Sequence, residues 1–309
     1  MRIEVPEDAQ ARFGREVVIA KHDLPDHPFF TDAALTALLD RFPRHLLYAI
    51  TMGNDPEREE NQLVDHRAAS GAQLLEAVRR GRLWLNITSV DSADEGYRAL
   101  LGELRAQLTA QIPGLQPDGM RATLLVSSPR AMVYFHADGP PSVLWHIRGA
   151  KRVSVWPALD ERFLPRPTLE DIFRGSAPEY VPFKNAFDEH ATAFDMEPGQ
   201  FAAWPQNAPH RVTNLDSINV SLSTEYFTRA SRKRARAYAA NSFFRRRFGV
   251  QLPPAISGPT ALAKVVLHKV AKKLGMDPDP SRGKRRIPTL RIAADAPNGV
   301  AELSPEGSS

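Results

Sequence analysis

The sequence predicts a mainly β protein with added α-helices: a β-sandwich or barrel, a helical layer packed on its N-terminal side and helices after its last strand. Three observations carry this reading. Apolar residues recur with the helical period of about 3.6 early in the chain and with a period of about two after residue 120. Seven strand candidates then follow within about 105 residues, separated by Pro, Gly and Asn. From residue 229 the pattern is helical again, and the charge changes sign there.

Taken in order, residues 15–20 (Arg-Glu-Val-Val-Ile-Ala) read as a short strand. Thr31 or Asp32 can cap a helix whose Leu35, Leu38, Leu39 and Phe42 share one face. Ser70 opens a second helix with Leu74, Leu75 and Val78 inside and Gly81 as its stop. Residues 83–87 form a strand candidate, and Ser92 with Glu95 fits a capping box ahead of Leu100, Leu101, Leu104, Leu108 and Ile112, ended by Pro113. The later strands are expected at 121–127, 131–137, 142–148, 151–156, 191–196, 200–204 and 218–227. Their breaks fall at Pro129, Gly139-Pro140-Pro141, Gly149, Pro198-Gly199 and Asn214. Residues 229–247 and 259–274 read as helices, the second with Pro259 in its first turn and Gly275 after its end. The expected organisation is a domain over 1–228 with its β core at about 121–228, a basic helical region over 229–275, and a loose tail over 276–309 rich in Pro, Gly, Ser and Asp.

A length of 309 residues allows one large domain with added elements, and 42% hydrophobic with 25% charged residues excludes a fibrous or wholly disordered chain. Cysteine is absent, which removes disulfides, thiolate zinc sites, iron–sulfur clusters and cysteine nucleophiles, so any metal must be held by His, Asp or Glu. Met1 to Asp8 carries acids where a signal peptide needs a basic start, and no run of ~18 apolar residues occurs, so a cytoplasmic protein with no membrane contact is expected. The net charge of +4 conceals an uneven distribution. Residues 229–286 carry 16 Lys and Arg against Asp277 and Asp279, whereas residues 1–228 are net acidic.

In Tyr134-Phe135-His136-Ala137-Asp138, the histidine and aspartate are two apart at a strand end, so their side chains leave one face and can converge on one ion. A metal needs a third donor. His210 is the best candidate, because the turn, strand and kink over Pro198 to Pro205 return the chain to the barrel mouth. Two imidazoles and a carboxylate on one face of an octahedron form the facial triad of non-haem Fe(II) oxygenases, leaving positions for co-substrate and O₂. Fifteen residues after His136, Lys151 begins a strand whose Val153 and Val155 share its face. If that face is internal, the ammonium sits deep in the barrel, where it needs a bound anion such as a dicarboxylate.

These residues resemble the JmjC and cupin-like Fe(II)/2-oxoglutarate-dependent oxygenases, particularly the branch of the hypoxia-inducible-factor asparaginyl hydroxylase. The resemblance spans roughly residues 15–228 and is best over 82–156 and 198–227. In the family's pattern a Gly turn and a Lys follow His-x-Asp, and the second His comes five residues after a Pro; here these are His136, Asp138, Gly149, Lys151, Pro205 and His210. The resemblance implies a double-stranded β-helix (jelly-roll or cupin) core, with His136, Asp138 and His210 as catalytic iron ligands and Lys151 as partner of the distal carboxylate of 2-oxoglutarate. The segment from Arg82 to Asn86 resembles the family's Leu-Tyr-Leu-Gln strand, which puts Trp84 beside the co-substrate with an indole N–H in place of a hydroxyl. Val133 stands where the family often has Thr, leaving Thr123, Ser142 or Tyr134 as the other co-substrate contacts. The implied activity is hydroxylation of a C–H bond in a protein side chain or small molecule, with release of succinate and CO₂.

Other features carry plainer readings. His146 shares a strand face with Ser142 and Leu144 and is as readily a packed histidine as a pocket residue. His22, His27, His45, His66, His190 and His268 have no partners at useful spacing, and Trp145, Trp156 and Trp204 read as core aromatics. The acid-free segment 229–248 interleaves eight basic residues with Tyr238, Phe243, Phe244 and Phe248. A nucleic-acid or acidic-partner surface is one reading of it. The favoured one is a solvated helix whose aromatics pack on the barrel or on a second subunit, since C-terminal helices commonly dimerise the resembling hydroxylases. The competing function is a non-catalytic cupin-like module that uses these basic helices to bind nucleic acid or an acidic partner.

Overall fold

The computed structural model describes residues 1–278, 287–293 and 295–303. From Met132 onward the chain winds between two sheets, as the period-two segments require when each has one face to bury. Met132–His136 lies in a four-stranded sheet and Ser142–Arg148 in an eleven-stranded one. Lys151–Val155 and Thr192–Met196 return to the small sheet, Gln200–Ala203 crosses to the large one, His210–Asn214 returns, and Asn219–Phe227 crosses again. This is the expected jelly-roll core. In the small sheet the order is Thr192–Met196, Lys151–Val155, His210–Asn214, Met132–His136, all antiparallel. The centre of the large sheet runs Gln200–Ala203, Ser142–Arg148, Asn219–Phe227, Asp118–Ser127.

Three apolar layers hold this core. Leu35, Leu39, Leu74, Val78 and Leu104 of the N-terminal helices bury against Leu85, Leu124 and Val126 on the outer face of the large sheet. Each fully buried leucine there contributes about 1.5–3 kcal/mol relative to exposure. Outside the small sheet, Phe135, Trp156 and Phe163 pack with Leu169 and Tyr238. Between the sheets the apolar cluster is smaller, built on Leu144, Val153, Val155, Met196, Trp204 and Val212, and a cavity opens beside it.

The helix ends follow local chemistry. Thr31 Oγ1 accepts from Ala34 N ahead of Asp32–Arg41, and Ser70 with Gln73 makes a reciprocal capping box for Gly71–Arg80. The capping box expected at Ser92 does not form. Ser89 takes a left-handed conformation (φ 50°) and starts a short helix, Val90–Ala93, in which Ser92 Oγ donates to Ser89 O. Asp94 instead caps Glu95–Gln111 by accepting from Tyr97 N.

Other expectations are corrected as well. Asn214 is the last residue of a strand and not a break: its buried carboxamide donates to Ser127 Oγ at 2.8 Å and Ser128 O at 2.7 Å, so an exposed turn is unnecessary. Between the strands expected at 151–156 and 191–196, where no element is expected, the chain forms the helix Arg166–Arg174, closed by left-handed Gly175. Leu47–Thr51 and Gln62–Asp65 extend the large sheet past Leu83–Ile87. Beyond them Leu290–Ile292 pairs parallel with Gln62–Asp65 and antiparallel with Val300–Glu302, so part of the expected loose tail covers a sheet edge. Residues 279–286, 294 and 304–309, the rest of that expectation, lie outside the described residues.

The basic segment forms Arg229–Phe248, followed by Gly258–Lys273. Tyr238 and Phe243 are buried, Arg232 pairs with Asp118, and Arg245 and Arg246 both bond Asp171. Part of the helix's charge is therefore answered within the fold. Leu262, Val266, Leu267, Val270 and Leu274 are exposed. Among the described residues no helix is long and apolar enough to cross a membrane.

Candidate metal centre and cavity

Strand pairing brings the two histidines together, because His210 stands opposite His136 in the antiparallel ladder between His210–Asn214 and Met132–His136. Their ring centroids are 4.0 Å apart. Asp138 lies just past the strand end: its Oδ1 is 3.7 Å from His136 Nε2 and its Oδ2 is 3.7 Å from His210 Nε2. One donor atom from each of the three lies within 4.8 Å of the others.

Backbone carbonyls set the tautomers. His136 Nδ1 is 2.7 Å from Tyr134 O and His210 Nδ1 is 3.1 Å from Ala208 O, so each Nδ1–H donates outward and each Nε2 is turned toward Asp138. Burial, and then the neighbouring His136, lower His210 to about 4, which keeps its imidazole neutral. Two imidazole nitrogens and a carboxylate thus converge on one point, and the set suits a divalent metal that accepts nitrogen and oxygen.

The turn that carries Asp138 is braced on several sides. Ser142 Oγ donates to Asp138 Oδ2 at 2.9 Å, and Asn207 Nδ2 donates to Asp138 O at 2.8 Å. Gln206 Nε2 donates to Gly139 O at 2.9 Å, while its Oε1 accepts from Arg234 of the long C-terminal helix at 3.0 Å. Asn207 itself has φ 65°, a left-handed conformation asparagine tolerates.

The three side chains open into a cavity of about 440 Å³ between the sheets. Lys151, 4% exposed, lines it. Its Nζ donates to Ser221 Oγ at 2.8 Å, and among the described residues no carboxylate lies within ion-pair distance. Burial lowers Lys151 to about 7. Ser221 in turn lies 3.1 Å from His146 Nδ1, and His146 Nε2 is 2.9 Å from Gly149 O. Burial and the Lys151 charge push His146 down to about 3, so it stays neutral and can accept from Ser221. His146 is therefore a buried support behind the cavity wall.

Of the remaining expected residues, Trp84, Thr123 and Ser142 line the cavity. Tyr134 does not. A register shift between His210 and Val212 places Val133 opposite Val212 and on the cavity wall, and the Tyr134 hydroxyl accepts from Glu60 N at 3.1 Å. Ser142 is occupied by Asp138 and acts through it. Trp204, read as a core aromatic, lies against His210 with ring centroids 4.5 Å apart.

Sequence reasoning missed Glu225 and Glu179, which also line the cavity. Burial and then the Asp138 charge raise both to about 7. Glu225 had a signal: with Ser221 and Ser223 it shares one face of Asn219–Phe227 at a spacing of two. Glu179 precedes Tyr180, which bridges to His136 from a segment without periodicity, so nothing in the sequence marked it.

No family model and no curated protein sequence matches this chain. Solved structures do. An X-ray structure of E. coli ycfD is 15% identical, with a TM-score of 0.51, covering 91% of this chain and 71% of its own. The E. coli ribosomal oxygenase YcfD in complex with cobalt and 2-oxoglutarate is also 15% identical, with a TM-score of 0.48, covering 94% and 75%. The likeness to ycfD shows a shared fold.

Proposed function

We propose that the chain is an Fe(II)- and 2-oxoglutarate-dependent dioxygenase that hydroxylates a C–H bond. The observation that carries this reading is one cavity holding both a His136–Asp138–His210 cluster of metal-ligand atoms within 4.8 Å and a buried Lys151 answered, among the described residues, only by a hydroxyl. A triad alone fits many metal enzymes; a triad facing a buried ammonium fits a metal plus a dianionic co-substrate. The spacing of His136, Asp138, Lys151, Pro205 and His210 favours placement near the asparaginyl hydroxylase branch.

In this reading His136, Asp138 and His210 hold the iron and Lys151 holds the far carboxylate of 2-oxoglutarate. With both bound, O₂ is split so that one oxygen enters the substrate as hydroxyl and the other enters succinate as CO₂ leaves. The protein's own work is positional. Ser142 and Asn207 fix the Asp138 carboxylate and backbone, the Nδ1 bonds of His136 and His210 aim Nε2 inward, and Leu144, Val212 and Trp204 form apolar wall beside the cluster.

The test uses the purified full chain with Fe(II), 2-oxoglutarate and O₂, reading succinate, and separately Co(II) binding by visible absorption. His136→Ala and Asp138→Ala should lose both by on the order of 100-fold. Undiminished succinate formation in both variants overturns the assignment.

A further inference from the structure

The ammonium of Lys151 is held from across the cavity, by the opposite sheet. Its Nζ donates to Ser221 Oγ at 2.8 Å, and Ser221 stands in register with His146 on the neighbouring strand of the large sheet. The serine Oγ lies 3.1 Å from His146 Nδ1, and His146 Nε2 is 2.9 Å from Gly149 O. All three side chains are buried, with His146 wholly enclosed.

The hydrogens along this row have one arrangement. The Gly149 carbonyl only accepts, so His146 Nε2 carries the hydrogen. A neutral imidazole has no second one, so Nδ1 is bare and takes the single hydrogen of the Ser221 hydroxyl. Ser221 is left with lone pairs alone, and Lys151 is the donor that meets them. An unheld serine hydroxyl rotates to donate or accept as its neighbours require. This one is fixed as an acceptor, and donating to His146 strengthens it in that role. The tautomer is also the reverse of that in the metal cluster, where His136 and His210 donate from Nδ1. The ring of His146 thus sets the direction of a row that ends at the buried ammonium.

We infer, on the oxygenase reading, that His146 is a positioning residue for the co-substrate: through the Ser221 hydroxyl it aims the Lys151 ammonium at the far carboxylate of 2-oxoglutarate. Without the ring, the hydroxyl hydrogen is free to turn toward the cavity, the lone pairs turn away from Nζ, and the ammonium loses the one partner described for it.

The first measurement needs no substitution. Nitrogen NMR of the histidine rings in the full chain at pH 7 should show His146 neutral with its hydrogen on Nε2; a hydrogen on Nδ1, or a charged ring, overturns the inference. The second is calorimetric titration of 2-oxoglutarate into the Co(II)-loaded full chain. Ser221→Ala and His146→Leu should each weaken binding about tenfold, and the double variant should bind no more weakly than Ser221→Ala, because the ring acts through the hydroxyl. His146→Gln, which offers one acceptor and one donor, should recover most of the affinity. With Fe(II) and O₂, the KM for 2-oxoglutarate should rise in the same proportion while kcat stays within about twofold. Wild-type affinity in His146→Leu, losses that multiply in the double variant, or a fall in kcat with KM unchanged overturns the inference. If His146→Leu does not fold, the ring measurement with Ser221→Ala and His146→Gln decides. A wild-type chain that does not bind 2-oxoglutarate sinks the oxygenase reading itself, a failure distinct from a wrong tautomer or additive variants.

Discussion

Two regions of this molecule bury charge in opposite ways. In the C-terminal layer, Asp171 takes Arg245, Nε and Nη2 of Arg246, and Ser242; Asp277 takes Arg174 and His268; the ammonium of Lys264 donates to Pro253 O at 2.7 Å with Glu170 nearby. In the cavity, among the described residues, Lys151 has a serine hydroxyl, and Glu179 and Glu225 have only long contacts. Both regions contain a nearly fully buried lysine, 4% exposed for Lys151 and 3% for Lys264. Charge answered by the fold stabilises the fold. Charge left unanswered in a cavity is destabilising until a ligand arrives, and a chain retains it when the ligand matters more than the stability lost.

The largest effect that would break this contrast is at Lys151. Lys151→Met should weaken 2-oxoglutarate binding to the Co(II)-loaded protein by on the order of 100-fold, about 3 kcal/mol, measured by calorimetry. The same variant should change ligand-free stability in the opposite sense. The folded-state value for Lys151 is about 7, below the ordinary 10.5. Between those limits the unfolded chain binds more protons, so the wild type gains stability as pH rises from 7 toward 10.5, and the full cost of the buried charge is present below 7. Methionine removes that dependence. Urea denaturation at pH 7, 8 and 9 should give a steeper rise for wild type than for the variant; parallel slopes would mean that Lys151 is already compensated in the empty protein.

A smaller effect sharpens the contrast from the other side. Asp171→Ala strands Arg245 and Arg246, which are partly exposed and can reach water, so the loss should be about 2 kcal/mol and lower the melting temperature by roughly 5 °C. Affinity for 2-oxoglutarate should stay within twofold, since Asp171 lies on Arg166–Arg174, outside the small sheet. A parallel loss of affinity would show that the C-terminal layer sets cavity geometry.

What the sequence made legible follows the same division. Its period of two located the strands, and the spacing of His136, Asp138, Lys151 and His210 located the cluster, because those features are local or carried by a fixed ladder register. The strand His210–Asn214 was hidden because Asn214 reads as a turn residue; only Ser127 and Ser128, 86 or 87 positions earlier, make its burial affordable. Tyr134, one of three alternatives for a co-substrate contact, is off the cavity wall because a register shift turns Val133 inward in its place, which no local pattern announces. Helix Arg166–Arg174 was missed because its buried Glu170 and Asp171 look like solvent-facing acids until Asn241, Ser242, Arg245 and Arg246 come up against them. In each case the deciding partner lies far off in sequence, and no local pattern records it.

The smallest effect concerns the bracing of Asp138, where the two regions touch. Ser142→Ala removes the one side-chain bond described to the carboxylate but leaves Asn207 holding the backbone, so Asp138 can still reach the metal with a looser rotamer. Co(II) affinity should fall about tenfold, with a changed visible spectrum, and Ser142→Thr should restore both by returning the hydroxyl. Arg234→Ala acts one step further out, through Gln206 and Gly139, and should cost a few-fold. If Arg234→Ala instead matches Ser142→Ala, the brace from the C-terminal helix sets the metal geometry as directly as the hydroxyl does. That helix would then belong to the site, and the division between answered and unanswered charge would run through it instead of around it.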